Sequence, residues 1–154
     1  MVLDAILHHG ESYDTQLPIY NACSDFFYVG QHHHPRLGAG SFKHVLENVY
    51  SHIHSNELKQ VLYGKPMRTS FDYVTRLLEK QKESFGHTNP LQTLYMVGDN
   101  PDTDIKGAND AGGRWKSILT ETGIYQSGDP HTAHHVRPSI ANLVDYLNLQ
   151  QSST

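Results

Sequence analysis

Leu94 through Gly112 reads LYMVGDNPDTDIKGANDAG. The apolar run Leu94-Tyr95-Met96-Val97, bounded by turn residues, predicts a buried strand. Gly98 lets the backbone bend sharply, and Asp99, Asp102 and Asp104 follow within the next six residues. The run after Asp104 has small residues and no proline, which predicts a short helix ending at Gly112. Three carboxylates therefore fall between a strand end and a helix start, the edge at which open α/β sheets bind ligands. Carboxylates so crowded repel one another, and a hard cation relieves that repulsion. Mg²⁺ takes one or two carboxylates and completes its shell with water and phosphate oxygens. The plainer reading is a solvated acidic turn with Asp104 capping the helix.

Two look-alikes fail on position. A calcium-binding EF-hand loop needs glycine at its sixth position and glutamate at its twelfth. Counted from Asp99, those positions hold Asp104 and Asp110, and Pro101 takes the third. The string Asp102-Thr103-Asp104 has the form of a DxD nucleophile motif, but there the first aspartate directly follows a hydrophobic strand. Here Pro101 precedes it, and Ile105 stands where glycine is expected.

Working outward, Lys59–Tyr63 reads as a short strand stopped by Pro66, which cannot donate to a ladder. Thr69 or Ser70 caps the next helix, whose Phe71, Val74, Leu77 and Leu78 are expected to face inward. Arg114–Thr120 is a further strand, His135–Val136–Arg137 a minimal one, and Ser139 caps a last helix with Ile140, Leu143, Val144 and Leu147 on one face. From Lys59 onward the order is β-α-β-α-β-β-α, an α/β pattern with a parallel sheet. Upstream, Val2, Leu3, Ile6 and Leu7 share one face of an amphipathic helix ended by Gly10. A polar link spans Glu11–Gln16. Leu17–Ala22 and Phe26–Val29 are strand-like, Gln31–Arg36 is a loop, and Phe42, Val45, Leu46, Val49 and Tyr50 follow helical spacing, with Gly40 or Ser41 near the cap. The tail from Asn148 is expected to fray.

In a parallel sheet, the loops after successive strands open on one edge. Lys65 follows one strand and Asp99 the next, so a lysine faces the carboxylate cluster. Phosphate chemistry uses such a pair: the lysine is a point charge on phosphoryl oxygens and the metal bridges them. A response-regulator receiver also combines acids with a lysine, but its acids come early and its lysine last. That order is reversed here.

The 154 residues bound one domain, or one domain with pieces of a second. A net charge of −4 and a pI near 6.3 point to neither nucleic acid nor anionic membrane as a general partner. The hydrophobic fraction of 37% and mean hydropathy of −0.55 are low for a compact enzyme. No apolar run approaches the ~20 residues of a membrane span. One cysteine, Cys23, excludes an internal disulfide and fits a reducing compartment; it reads as a small buried residue. The first residues carry Asp4 and Glu11 and no early arginine, against a targeting peptide. The twelve histidines include His32–His34 and His131, His134 and His135, but neither group has the i, i+4 spacing of a helical zinc site.

YGKPMRTSFDYV (63–74) followed by LYMVGDNPDTDIKGANDAG resembles the third and fourth motifs of the haloacid dehalogenase (HAD) superfamily, the aspartate-dependent phosphohydrolases. The form GKP, then GDNPDTDI and ILTETGIY, is similar to the class IIA type, which carries a large cap before the lysine motif. HPRLGAGSFKHVLENVY (34–50) resembles the haloacid dehalogenase-like hydrolase domain-containing 5 (cat eye syndrome critical region protein 5) group. The similarity covers most of residues 17–147. It implies a Rossmann-like HAD core with an incomplete parallel sheet over 61–147, preceded over 1–60 by the later part of an α/β cap and its return to the core, with 148–154 a tail. It implies that Asp99 binds Mg²⁺ directly, that Asp104 supports the metal site and catalysis, that Lys65 binds phosphate and steadies the nucleophile, and that Asn100 assists substrate binding by hydrogen bonding. Relatives of the subgroup are often mitochondrial. The implied substrate is a small phosphorylated metabolite, a glycerophospholipid precursor among the candidates.

One departure stands out. The superfamily attacks phosphorus with the first aspartate of a DxD after an N-terminal strand, and no hydrophobic strand leads into DxD upstream of Lys65. Asp4, Asp14 and Asp25 are isolated, and Thr120 lies after the acidic loop. The expectation is the C-terminal part of such an enzyme, with Met1 inside the cap and negligible phosphatase activity alone. The alternatives are a non-catalytic remnant, or a subunit completing a site with a separately encoded N-terminal half.

Overall fold

The computed structural model describes residues 2–7 and 16–151. Among the described residues five helices are present, α1 (Val2–Leu7), α2 (Ala39–Ile53), α3 (Arg68–Ser84), α4 (Lys106–Ala111) and α5 (Ile140–Gln151). The strands are β1 (Ile19–Asn21), β2 (Phe27–Tyr28), β3 (Arg36–Leu37), β4 (Gln60–Leu62), β5 (Leu94–Gly98), β6 (Trp115–Thr120) and β7 (His135–Arg137). From β4 onward the elements run β-α-β-α-β-β-α, as the hydrophobic pattern predicts.

The strands form three separate sheets. β5, β6 and β7 are parallel neighbours in that order, with Leu94 opposite Trp115 and Ile118 opposite His135. β4 stands outside this sheet. It pairs in parallel with β1, Ile19 opposite Gln60 and Asn21 opposite Leu62. β2 and β3 make a small antiparallel hairpin, so part of the expected 31–36 loop closes on a strand. The architecture is a mixed α/β Rossmann-like core with an incomplete parallel sheet.

β6 is covered on both faces: Ser117, Ile118 and Leu119 are fully buried. Under α3 and α4, Phe71, Leu94, Ala108 and Trp115 pack together. On the opposite side Ile105, Leu119 and Tyr125 form a second cluster, and Ile6, Tyr50 and Leu58 a third around α1 and α2.

Several helix faces differ from expectation. Only Phe71 is buried on α3, while Val74 and Leu77 are exposed. On α5, Leu143 is buried, but Ile140 and Val144 face outward. On α2, Tyr50 is buried while Phe42, Val45 and Val49 are exposed. Periodicity identifies the apolar stripe; how much of it is covered depends on how many elements lie against it. The α3 cap differs as well. Its N-cap is Met67, with no side-chain cap bond, because the Gly64–Met67 turn feeds the helix directly (Met67 N–H to Gly64 C=O, 2.9 Å). α2 likewise begins after Gly38, whose carbonyl accepts the Ser41 hydroxyl at 2.6 Å. Cys23 is half-exposed rather than buried. α5 continues through 148–151, whereas Gly10, most of the 11–16 link and the last three residues lie outside the described residues.

Candidate active site

The C-terminal end of β5 delivers Asp99 into the loop, and a π-helical turn, Pro101–Ile105, follows before α4. Asn100 caps this turn: its side-chain oxygen accepts the Asp102 N–H at 3.0 Å. Its carbonyl accepts the N–H of Asp104 at 3.0 Å and of Ile105 at 3.3 Å. Asn100, not Asp104, is therefore the capping residue. Asp104 is turned inward and is only 2% exposed.

The Asp104 carboxylate is held by two donors. Oδ1 accepts from Lys65 Nζ, and Oδ2 accepts the Asn100 N–H at 3.1 Å. Gly98 sits directly beneath it, where an added Cβ would overlap the carboxylate. Asp99 is fixed differently: Oδ2 accepts the Ile124 N–H at 2.7 Å, and Gly123 leaves just enough room for that carboxylate. Among the described residues Asp99 Oδ1 has no hydrogen-bond partner. Asp102 is exposed.

Lys65 arrives from the turn after β4. Burial works against its charge, but the hydrogen bond and charge of Asp104 outweigh this, and Asp25 and Asp99 add to them. Its pKa is held above the ordinary lysine value. An ammonium has three hydrogens, and one goes to Asp104. Lys65 does come to Asp104, but not along one shared sheet edge as the sequence reading expects: β4 pairs with β1, outside the β5-β6-β7 sheet, so the lysine and the two carboxylates arrive from two separate sheets. Asn100 is nine-tenths buried, with one amide hydrogen given to Asp25.

Asp25 is the residue that sequence reasoning missed. Its Oδ1 accepts from Asn100 Nδ2 at 3.0 Å and from Thr103 Oγ1. An aspartate four residues after a strand end, with Asn21 Oδ1 closing an Asx turn on the Cys23 N–H at 3.1 Å, was the available signal.

A cleft of about 430 Å³ opens beside Asp99, lined by Val97, Gly98, Thr120, Thr122 and Gly123 among others. Lys65 borders a different, smaller apolar cleft of about 150 Å³ with Phe71, Met96 and Trp115. Among the described residues no three His, Cys, Asp or Glu side chains lie close enough to hold a metal by themselves. The donors do fit Mg²⁺ in its usual form, with few protein ligands and a shell completed by water and phosphate: Asp99 offers a free carboxylate oxygen, and Asp104 is committed to Lys65 and the backbone.

Residues 62–145 match the HAD-hydrolase-like family. The chain belongs to this family. Its HAD-like fold resembles that of a 4-nitrophenylphosphatase from Thermotoga maritima, with a TM-score of 0.54 and 24% identity over 79% of this chain and 42% of that one. It is 38% identical to a cardiolipin synthase (CMP-forming)/mitochondrial hydrolase fusion protein of Schizosaccharomyces pombe, over 79% of this chain and 20% of that protein. It is 28% identical to a mitochondrial hydrolase of Saccharomyces cerevisiae, over 80% of this chain and 40% of that protein. The chain thus spans well under half the length of these HAD-like relatives. No described helix is long and apolar enough to cross a membrane.

Proposed function

We propose that this chain supplies the lysine and metal-carboxylate part of a Mg²⁺-dependent, HAD-type site for phosphate monoesters, and that it has negligible turnover alone. The meeting of Lys65 with Asp104 beside Asp99, from two different sheets, carries this reading. Asp99 is the direct Mg²⁺ ligand and Asp104 the supporting carboxylate. Lys65 binds the phosphoryl oxygens with the hydrogens not given to Asp104. Asn100 has one amide hydrogen left over from Asp25 and assists in substrate binding. When bound, Mg²⁺ supplies charge neutralisation at phosphate. Residues 1–60 are then the later part of a cap and its return to the core, consistent with β1 pairing with β4, and 61–147 the C-terminal part of the core.

Turnover needs more than this. Phosphate-monoester hydrolysis calls for accelerations of up to ~10²¹, which rest on a covalent step and its proton transfers. Asp25, the carboxylate nearest to such a role, already accepts two hydrogen bonds on one oxygen. A second reading, a subunit that completes its site with a separate N-terminal half, is favoured by the sheet edges. β5 pairs only with β6, and β1 only with β4, so each has an open parallel edge among the described residues. A non-catalytic remnant would retain the same site without a completing half. The substrate class is a small phosphorylated metabolite; the names of both fungal relatives favour a mitochondrial setting, and the cardiolipin synthase joined to one of them favours a glycerophospholipid precursor.

The test is an aryl-phosphate assay of this chain with Mg²⁺, beside Lys65→Ala and Asp99→Ala, together with Mn²⁺ binding followed by paramagnetic broadening. Metal binding that Asp99→Ala removes, without turnover, is the expected result. Turnover abolished by both substitutions would overturn the inactivity of the isolated chain, and absence of metal binding would overturn the site itself.

A further inference from the structure

The loop after β1 is gripped from two sides. Tyr63 N–H donates to Asn21 C=O at 2.6 Å, and Gly64, at φ 79°, lies so close that an added Cβ would overlap the Ala22 carbonyl. On the far side, the start of α2 closes in. Gly40 N–H donates to Asp25 C=O at 2.9 Å and Gly38 N–H to Phe26 C=O at 2.8 Å, and a Cβ at Gly40 would overlap the Ser24 carbonyl. A polar loop held this tightly is unusual, since connecting segments ordinarily move more than the elements they join. Its one side chain directed into the acidic loop is Asp25. Oδ1 receives Asn100 Nδ2 at 3.0 Å and the Thr103 hydroxyl, while Oδ2 meets Cys23 Sγ at 3.7 Å. Thr103 is 4% exposed and Asn100 8% exposed, so both donors are buried, while Asp25 itself is partly buried.

Asn100 stands at the junction of everything the site uses. Its backbone N–H binds Asp104, its carbonyl begins the π-helical turn, and its side-chain oxygen binds the Asp102 N–H. Fixing its amide through Asp25 therefore fixes the rotation of the whole Asp99–Asp104 segment. We propose that Asp25 is a positioning residue of the acidic loop, clamping Asn100 and Thr103 from the β1–β4 sheet so that Asp99 and Asp104 are held for a divalent cation. The cation part of this rests on the function proposed above; the clamp itself does not. Asp25 acts through hydrogen bonding rather than as a ligand, because the oxygen nearest the loop already takes two donors.

The test compares the 154-residue chain with Asp25→Asn and Asp25→Ala. An asparagine oxygen has two lone pairs and can keep both bonds; alanine keeps neither. Amide hydrogen exchange at Asp102 and Asp104, read by NMR, should be about tenfold faster in Asp25→Ala and close to wild type in Asp25→Asn. Exchange at Ile118 and Leu119 in β6 should be unchanged in both, separating a local clamp from general unfolding. Mn²⁺ affinity should fall about tenfold in Asp25→Ala and be restored in Asp25→Asn. Unchanged exchange in Asp25→Ala would overturn the clamp. Asp25→Asn behaving like Asp25→Ala would also overturn it, by showing that the charge itself is the working part. A wild-type chain that binds no Mn²⁺ would overturn the metal reading, and the exchange arm would still decide on Asp25.

Discussion

Lys65 and Asp104, 39 residues apart in the chain, form an ion pair in which the acid's side chain is 3% exposed and the base's side chain 40% exposed. The asymmetry matters chemically. The carboxylate is sealed by Lys65 and the Asn100 N–H, while the ammonium still reaches solvent, as the phosphate-binding role proposed above requires.

Replacing Lys65 by methionine leaves the Asp104 carboxylate buried with one partner. The expected loss is about 2 kcal/mol, below the ~3–5 kcal/mol of a fully buried pair because the lysine is half in water. Urea denaturation would measure it. A stability equal to wild type would mean that the pair is structurally idle.

The same pair predicts an alkaline limit. The folded-state pKa of Lys65 is raised above 10.5, so its contribution is complete below 10.5 and is lost as pH rises through the higher folded value. The stability difference between wild type and Lys65→Met should shrink as pH rises above 10.5. A difference that stays constant over that range would contradict the shift.

Gly98 and Gly123 each lie against a carboxylate, under Asp104 and Asp99 respectively. Alanine at either position should cost about 1–3 kcal/mol through overpacking. Gly123→Ala should in addition weaken Mn²⁺ binding by displacing Asp99, whereas unchanged affinity would remove Asp99 from the metal's first ligands.

Phe71 packs edge-on against Trp115, with ring centroids 5.1 Å apart and an interplanar angle of 88°. The indole N–H is tied to Thr75 Oγ1 at 3.1 Å. Phe71→Ala should cost about 3–5 kcal/mol. Trp115 is the chain's one tryptophan, so its fluorescence reports both the unfolding midpoint and any wetting of the cavity left behind. A shift in midpoint worth under about 1 kcal/mol would show that this cluster collapses to fill the space.

His134 should set an acid-side slope. Ser117 N–H donates to its Nδ1 at 3.2 Å, so that nitrogen is unprotonated. Slight desolvation of this exposed ring, then the charges of Lys116 and His135, lower its pKa below 6.5. The unfolded chain therefore binds the proton more readily, and stability falls as pH drops from 6.5 toward the lower folded value. Melting temperatures across that range should fall less steeply in His134→Gln than in wild type; identical slopes would exclude His134 as the cause.

Much of the site could be read from local pattern. The strand–Gly98–acidic loop–helix succession announces itself in contiguous residues, and Lys65 stands out as the lysine after the preceding strand, although the two strands do not share a sheet. Asp25 could not be found in this way, because its partners Asn100 and Thr103 are 75 and 78 residues distant and the link runs through irregular loops. Helical spacing likewise identified the stripes of α3 and α5 but not their coverage: Phe71 and Leu143 are buried, while Leu77 and Ile140 on the same stripes stay exposed. The division of β4 from β5 into different sheets is also a long-range fact, since short apolar strands carry no record of which edge they join.

The grip of Gly40 and Gly64 on the loop after β1 bears on inheritance. Neither glycine offers a side chain to substrate or metal, yet each leaves no space for even a methyl group against a carbonyl. In a saturation-mutagenesis survey these two silent positions should be nearly as intolerant as Lys65, while exposed neighbours such as Phe42 accept most replacements. Missense variants at either glycine would thus disable the acidic loop from a distance, through a backbone that can no longer bring Asp25 to Asn100.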